Sequence, residues 1–200
     1  MQTISITALT GHAITAYIDD LAGLRIGIFR AYPYLYDGDL GYETRYLQTY
    51  AACPESLFVL AKDGDKVIGC STGLPMANAE PEFQKPFVDA GYDTTKIFYF
   101  GESVLLPEYR GRGLGHRFFD EREAYARKLG RFEYCSFCAV QRPDDHPKKP
   151  PDYRPLDGFW RGRGYEKHDK LSTRYSWREP GDDKETAKPM TFWLRALDRR

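Results

Sequence analysis

The hydrophobic pattern at the start of the chain changes from a two-residue period to a helical one. Alternation of apolar and polar residues predicts a first strand over residues 3–8. Apolar residues then recur every three or four positions, which predicts a helix that opens near Thr10 or His12 and stops before Pro33. A second helix is predicted over about 40–52. The chain is therefore expected to open with one strand and two helices.

The middle of the chain has the pattern of a hairpin followed by a long strand. Apolar runs over 56–61 and 66–74 flank an Asp-Gly turn, which is typical of a β-hairpin. The stretch 77–91 contains prolines and a glycine, and it predicts an irregular insertion with about one helical turn. A long strand is predicted over 96–106, ended by Pro107.

The remaining pattern alternates between helices and strands. It predicts a helix over 113–129 capped by Gly130, a strand over 132–140, a proline-rich loop over 141–155, a short helix over 155–163, and strands over 165–177 and 190–197. The central strand–helix–strand unit is expected to be parallel and right-handed. The fold class is therefore α/β, with a mixed sheet of about six to seven strands flanked by helices. We expect one domain over residues 1–200.

Charge and hydropathy weigh against several functional classes. The chain carries 29 basic and 29 acidic residues, whereas a general nucleic-acid binder usually has a basic excess. No window approaches the run of about 18 apolar residues that a membrane span needs. The N-terminal residues lack the basic region and apolar core of a secretory signal. We therefore expect neither a nucleic-acid partner nor a membrane.

The four cysteines do not suggest a metal site or a disulfide scaffold. Cys135 and Cys138 have C-x-x-C spacing, but a zinc site would need a second pair of ligands nearby. The pair lies in an apolar run that is typical of a strand, where the two thiols point to opposite faces. Buried structural cysteines, no metal and a reducing cytoplasm are expected.

The segment Val104–His116 is the most informative part of the chain. An extended strand runs into a glycine-rich turn that opens an amphipathic helix. The first N–H groups of a helix lack partners within it, and the helix dipole makes them an anion site. Arg110 and Arg112 add positive charge. Glycines allow the backbone to approach a phosphate closely, and they stand at Gly111, Gly113 and Gly115. A diphosphate is the natural ligand.

The glycine spacing separates this segment from other phosphate-binding motifs. A dinucleotide fingerprint needs G-x-G-x-x-G, and a P-loop needs a Gly-Lys-Ser/Thr end. By contrast, Arg110-Gly-Arg-Gly113-Leu-Gly115 resembles the Q/R-x-x-G-x-G/A motif of the GNAT (GCN5-related N-acetyltransferase) superfamily. The preceding strand and the following helix also look like that family. A second segment, Phe159-Trp160-Arg-Gly-Arg-Gly164-Tyr165, resembles a late element of the same fold.

The resemblance implies a GNAT-like sheet and an acyl-CoA-dependent N-acyltransferase. The expected reaction is acetyl transfer from acetyl-CoA to an amine of a small molecule or peptide, by direct attack on the thioester. The pantetheine arm would pair with backbone near Val104 and Leu106. The diphosphate would sit on the N–H groups of the turn and helix start, namely Arg110, Gly111, Arg112, Gly113, Leu114, Gly115 and His116.

The catalytic residues are less clearly marked than the CoA site. Glu102 lies in an otherwise apolar run, where a carboxylate tends to hold a proton more firmly, and it is the candidate base or acceptor ligand. Asp145 and His146 are alternatives. Trp160 stands where many relatives have the Tyr that acts as acid, and an indole is a poor proton donor. Tyr153 is therefore the candidate acid, with water as the alternative. The Trp also favours a second interpretation, a regulatory CoA-binding module without catalysis.

The loop after the first helix is the candidate border of the acceptor cleft. It combines aromatic and acidic side chains that suit a cationic amine: Tyr32, Tyr34, Tyr36, Asp37 and Asp39. The same residues also fit an aromatic packing cluster or a homodimer surface.

A second loop, over 142–151, is longer than the usual link of the family. It would cover the active site, with Lys148 or Lys149 near the 3′-phosphate of CoA. A solvated loop without a ligand fits this stretch equally well.

Overall fold

The computed structural model describes residues 4–198, which form an open mixed sheet between two sets of helices. The strands are β1 (Ile4–Thr10), β2 (Leu57–Asp63), β3 (Lys66–Pro75), β4 (Ile97–Tyr99), β5 (Ser103–Leu105), β6 (Tyr134–Val140), β7 (Glu166–Trp177) and β8 (Thr186–Ala196). The helices are α1 (Ile18–Phe29), α2 (Leu40–Ala52), α3 (Pro81–Asp89), α4 (Leu114–Leu129) and α5 (Asp157–Gly162). The sheet order is β1-β2-β3-β4-β6-β8-β7, and β5 also pairs with β3.

Two hydrophobic cores cover the two faces of the sheet. Phe58 and Leu60 of β2 pack in the core with α1, α2 and α3. Leu57 and Val59 of the same strand pack in the other core, which contains α4 and contacts α5. This alternation is the two-residue period of a strand buried on both sides.

The predicted fold class is confirmed. The predicted second helix has the bounds of α2, and β4 and β6 are parallel as expected for the strand–helix–strand unit. The first strand was predicted from residue 3, which lies outside the described residues. The first helix begins with a 3-10 segment at Gly11–Tyr17, and regular α-helix starts only at Ile18.

The sheet has one strand more than the seven segments predicted, because the long strand over 96–106 is broken into β4 and β5. The break contains Gly101, where a Cβ would stand 2.7 Å from Thr72 Oγ1 and closer still to the Tyr50 hydroxyl. No side chain fits there without displacing these groups. The backbone N–H of Glu102 donates to the same Thr72 Oγ1 (3.2 Å), which holds the break in place.

The insertion over 77–91 contains more helix than the predicted single turn. Pro81 opens α3 at a position where its missing N–H has no cost, and Pro86 lies inside the helix. Phe87 is fully buried and packs against Phe192 with ring centroids 4.8 Å apart. Burial of this aromatic face outweighs the poor helix propensity of the prolines.

The two thiols of the C-x-x-C segment lie on opposite faces of β6, as expected. Cys135 packs in the core that contains α4, and Cys138 packs in the core that contains α1. Burial raises the pKa of Cys138 to about 12, with a small opposing effect from the Tyr99 hydroxyl. Both cysteines are free thiols.

The feature that positions the site is a wedge-shaped gap in the middle of the sheet. β4 pairs with β6 only over 97–99, and the Phe100 N–H donates to Ser136 O at 2.8 Å. Beyond that point β5 pairs with β3, whereas β6 continues along β8 to Val140. The two neighbours therefore separate, and their edges are left facing each other across an opening.

Candidate active site

The outer end of the gap leads to the glycine turn before α4. Gly111 and Gly113 have φ values of 74° and 78°, and Gly113 is the residue before the helix begins. A Cβ at either position would meet no atom within 4 Å. These glycines are therefore required by backbone conformation, and the space beside them is open.

The turn and the helix start present free amide donors. Among residues 4–198, no backbone carbonyl accepts a hydrogen bond from the N–H groups of Gly111–His116, and Arg117 N is the first to find one, at Gly113 O (3.2 Å). Arg110 and Arg112 are exposed beside them. The guanidinium of Arg112 lies 5.1 Å from the ring centroid of Tyr109. Amide donors, a helix N-terminus and two guanidinium groups form a donor set suited to a diphosphate.

The backbone of β5 forms one side of the gap, opposite β6. The N–H of Leu106 donates to Ile68 O at 2.9 Å, and Glu102 O accepts from Thr72 N at 3.0 Å. Peptide groups alternate in direction along a strand, so Val104, midway between Glu102 and Leu106, is also turned toward β3.

The peptide groups that face the gap are therefore not those of the two residues expected to pair with pantetheine. Leu106 has no free N–H to offer, and the peptide groups of Val104 belong to the β3 pairing. Those of Ser103 and Leu105 face the gap. Because peptide groups alternate in direction along a strand, the residues that face the gap can be named only when the pairing register with β3 is known.

A cavity of about 760 Å³ lies at the inner end of the gap, and Gly101, Glu102 and Cys138 form part of its wall. Four of the five residues expected to border an acceptor cleft line it: Tyr34, Tyr36, Asp37 and Asp39. Its volume falls within the range of small-molecule sites.

Glu102 lies beside an arginine, not in the apolar setting expected from its neighbours in sequence. Arg25 Nη1 is 2.6 Å from Glu102 Oε2, and Arg25 Nε donates to Glu43. The Tyr46 hydroxyl also donates to Glu102 Oε2 at 3.2 Å, and the Arg25 guanidinium lies 4.4 Å from the centroid of the same ring. Arg25 and Tyr46 therefore both hold Oε2 of Glu102 in place.

The trio of Glu43, Arg25 and Glu102 is buried, with exposed fractions of 0%, 9% and 8%. Burial alone would lower the pKa of Arg25, but Glu102, Tyr46 and Glu43 outweigh burial and the net shift is upward. Two carboxylates and one guanidinium leave the trio with one net negative charge. Within residues 4–198, Glu43 Oε1 and Glu102 Oε1 have no hydrogen-bond partner.

Tyr153, the candidate acid, lies outside the lining of this cavity. The Tyr153 ring packs edge-on against Tyr32 with centroids 4.7 Å apart, and the His146 ring lies 5.6 Å from the Tyr32 ring. Burial is the main cause that raises the pKa of Tyr153. Asp145 is exposed and, like His146, does not line the cavity. Tyr153 and His146 therefore belong to an aromatic cluster next to the acceptor loop.

Two other aromatic residues lie near the two faces of β6. Trp160 packs against Phe137 and Trp193, at 5.0 and 5.1 Å between ring centroids, and lies half-buried at the edge of the core. Tyr99 lines the cavity, and its hydroxyl lies 3.3 Å from Cys138 Sγ. Burial raises the pKa of Tyr99 well above its ordinary value, so this phenol holds its proton firmly.

The loop over 142–151 fastens the acceptor loop through one arginine. Arg142 Nε donates to Pro33 O and Nη2 donates to Tyr34 O, both at 2.7 Å. Its Nη1 pairs with Glu179 at 2.7 Å. Because Tyr34 lines the cavity, this arginine fixes part of its wall.

The two lysines of the same loop already have acidic neighbours. Lys148 lies 3.8 Å from Glu179, and Lys149 contacts Asp144 at 3.4 Å. Their placement gives no support to a contact with the 3′-phosphate.

The sequence analysis missed Arg25, Glu43 and Tyr46. Arg25 falls four residues after Leu21 on the buried face of α1, and Glu43 falls four residues before the buried Leu47 on α2. A charged residue on an apolar helical stripe is the signal that would have identified both.

No helix within residues 4–198 is both long and apolar enough to cross a bilayer. No group of three His, Cys, Asp or Glu side chains there is arranged to hold a metal ion.

The sequence matches the model of one protein family. The model of the acetyltransferase (GNAT) family matches residues 27–148. No curated protein matches the sequence.

Solved structures share the whole fold at low identity. NAA60 of Arabidopsis thaliana, in complex with acetyl-CoA, has a TM-score of 0.64 at 13% identity, over 98% of this chain and 99% of that one. The putative acetyltransferase yncA of Salmonella typhimurium, with its cofactor acetyl-CoA, has a TM-score of 0.60 at 10% identity, over 99% and 96%. A ribosomal-protein-alanine N-acetyltransferase of Brucella melitensis has 0.62 at 13%, over 96% and 99%. At these identities the likeness shows a shared fold.

Proposed function

The chain belongs to the acetyltransferase (GNAT) family, and on this premise we propose that it transfers an acetyl group from acetyl-CoA to an amine of a small molecule or peptide. The observation that carries the proposal is the gap between β5 and β6. It connects an exposed anion site at the start of α4 with a cavity that contains buried carboxylates.

The donor side of the gap fits the chemistry of CoA. The free amides of Gly111–His116, with Arg110 and Arg112, would hold the diphosphate. The peptide groups of Ser103 and Leu105 would pair with the amides of the pantetheine arm. Acetyl-CoA supplies a thioester, which an amine attacks directly.

On the acceptor side, Glu102 is the proposed base. It stands at the inner end of the gap, and its Oε1 accepts no hydrogen bond from any group within residues 4–198. Arg25 and Tyr46 hold Oε2, which fixes the carboxylate and leaves Oε1 available to accept a proton. An amine that enters the cavity would lose its proton to Oε1 as it attacks.

The departing thiolate needs a proton donor. Tyr153 remains the proposed acid, and its contact with Tyr32 places it beside the loop that carries Tyr34. Water is the alternative. Replacement of Tyr153 by Phe is expected to slow acetyl transfer if the phenol is the donor, and to leave the rate unchanged if water is.

The test is calorimetric titration with acetyl-CoA, followed by measurement of CoA release with a panel of amines. Binding with amine-dependent release supports the transferase. Binding without release from any amine favours the regulatory CoA-binding module, the alternative to which Trp160 points. Absence of binding contradicts both.

A further inference from the structure

The acceptor cavity carries more negative charge than a neutral amine site needs. Six carboxylates and three guanidinium groups line it, an excess of three negative charges in a chain whose formal net charge is zero. Some of these groups are paired, as Asp37 is with Arg30 and Arg178. The negative charge that these guanidinium groups do not balance lies deeper in the cavity.

The strongest sign of a missing cation is a set of unused buried oxygens. Among residues 4–198, the buried side-chain oxygens without a hydrogen-bond partner include Glu43 Oε1, Glu102 Oε1 and Glu80 Oε2. All three carboxylates line the cavity or the one next to it. An unpartnered buried acceptor costs about 1–3 kcal/mol, more when it is charged, unless a ligand satisfies it.

The adjoining cavity extends the site away from the gap. It has a volume of about 310 Å³ and shares Tyr42, Tyr46, Phe83 and Tyr99 with the first. Glu80 stands in its wall, and burial is the main cause that raises the pKa of this carboxyl, partly offset by the Tyr175 hydroxyl. In the part of the chain that the structure describes, Glu80 is thus a second carboxylate that forms no ion pair.

Aromatic rings line the path between the two carboxylate positions. Tyr46 already accepts the Arg25 guanidinium on its face, at 4.4 Å from the centroid. Phe83 stacks on Tyr175 at 5.2 Å, and both rings line the first cavity. Rings of this kind stabilise desolvated cations and pack against methylene groups.

We propose that the acceptor is a small elongated di- or polyamine, with its reacting amino group at Glu102 and a second positive charge at Glu80. This inference rests on the proposed acetyl transfer. One ammonium balances the net negative charge of the Glu43–Arg25–Glu102 trio, and a second balances Glu80. In the reaction, the ammonium at Glu102 first gives one proton to this carboxylate, which passes it to solvent. The free amine then forms a bond to the acetyl carbon as the carbon–sulfur bond breaks; its second proton passes to Glu102, and the thiolate leaves and is protonated.

The test is calorimetric titration of the whole protein, without acetyl-CoA, with alkyl monoamines and α,ω-diamines of equal chain length at low salt. We expect the best diamine to bind at least about tenfold more tightly than its matched monoamine, a factor that corresponds to one additional charge contact. Glu80→Gln should reduce that ratio to about threefold or less while monoamine affinity stays the same. Glu80 makes no capping hydrogen bond for α3, so the isosteric change should leave the fold intact.

The matched control is Glu82→Gln, since Glu82 is an exposed carboxylate in the first turn of the same helix. It should keep the full diamine preference. Equal affinities for monoamine and diamine, no diamine binding at millimolar concentration, or an equal loss of preference in both variants would overturn the inference. Failure of acetyl-CoA to bind in a parallel titration would instead contradict the proposed function.

Discussion

The two ends of the gap are built in opposite ways. The donor end consists of consecutive residues, 110–116, most of them exposed and most offering backbone groups. The acceptor end joins Arg25, Glu43 and Glu102 from separate elements and buries their charges. A ligand that is common to many proteins can be held by a local backbone device, whereas an individual acceptor requires side chains assembled by the whole fold.

The largest expected effect concerns the donor end. Gly113→Asp should abolish detectable acetyl-CoA binding by calorimetry, because it puts a carboxylate beside the diphosphate position and forces a non-glycine residue to φ 78°. Gly130→Asp is the control, since Gly130 has φ 74° at the other end of α4. It should be destabilised similarly and still bind. Normal affinity in the Gly113 variant would mean that the diphosphate lies elsewhere.

A substitution in the buried trio of the acceptor end is expected to lower the stability of the fold. Arg25→Met leaves two buried carboxylates without their partner, and we expect the free energy of unfolding in urea to fall by about 3–5 kcal/mol. The comparison is Arg112→Ala at the exposed donor turn, which should change stability by no more than about 0.5 kcal/mol. Similar losses in the two variants would show that the buried trio does not depend on its arginine.

Catalysis should separate from binding at Glu102. Glu102→Gln is expected to retain acetyl-CoA affinity while amine-dependent CoA release slows by about 100-fold, the lower end of general-base contributions. The acidic limb of the pH–rate profile should disappear, because the group that must lose its proton is gone. If the variant keeps the wild-type profile, Glu102 binds the acceptor but is not the base.

The smallest effect is a dependence of stability on alkaline pH. The thiol of a Cys in an unfolded chain has a pKa of about 8.5, whereas burial in the fold raises the pKa of Cys138 to about 12. The unfolded state therefore loses the proton first, and the stability due to Cys138 is complete below about pH 8.5 and lost as pH rises toward 12.

Urea unfolding between pH 8 and 10 measures this effect. Cys138→Ala should reduce the fall in stability by up to about 1.4 kcal/mol per pH unit. An unchanged slope in the variant would assign the alkaline loss to other groups, such as the buried tyrosines of the cavity.

The sequence identified the local features well. The glycine turn, the helix after it and the hairpin each depend on neighbouring residues, and each was found where predicted. Pairs across the fold could not be read in this way. Arg25 and Glu102 are far apart in the chain, and nothing near Glu102 indicates that a guanidinium will reach it.

Two features that the sequence did not indicate have specific physical causes. The choice of Ser103 and Leu105 as the residues whose peptide groups face the gap depends on the register with β3, which leaves no trace in the sequence of β5. The break at Gly101 depends on crowding by Tyr50 and Thr72, two side chains from other elements. In both cases the missing information belongs to the partner strand or helix.

The short contact between β4 and β6 has a mechanical consequence. Within the sheet, β1, β2, β3 and β5 lie on one side of that seam and β6, β8 and β7 on the other, with β4 and β6 paired only over residues 97–99. A pantetheine arm in the gap would lie between β5 and β6 like an additional strand. It would add hydrogen bonds across an opening that the polypeptide itself does not bridge. The protein would then be stiffest under shear with its donor bound, and release of CoA would restore the compliance of the seam.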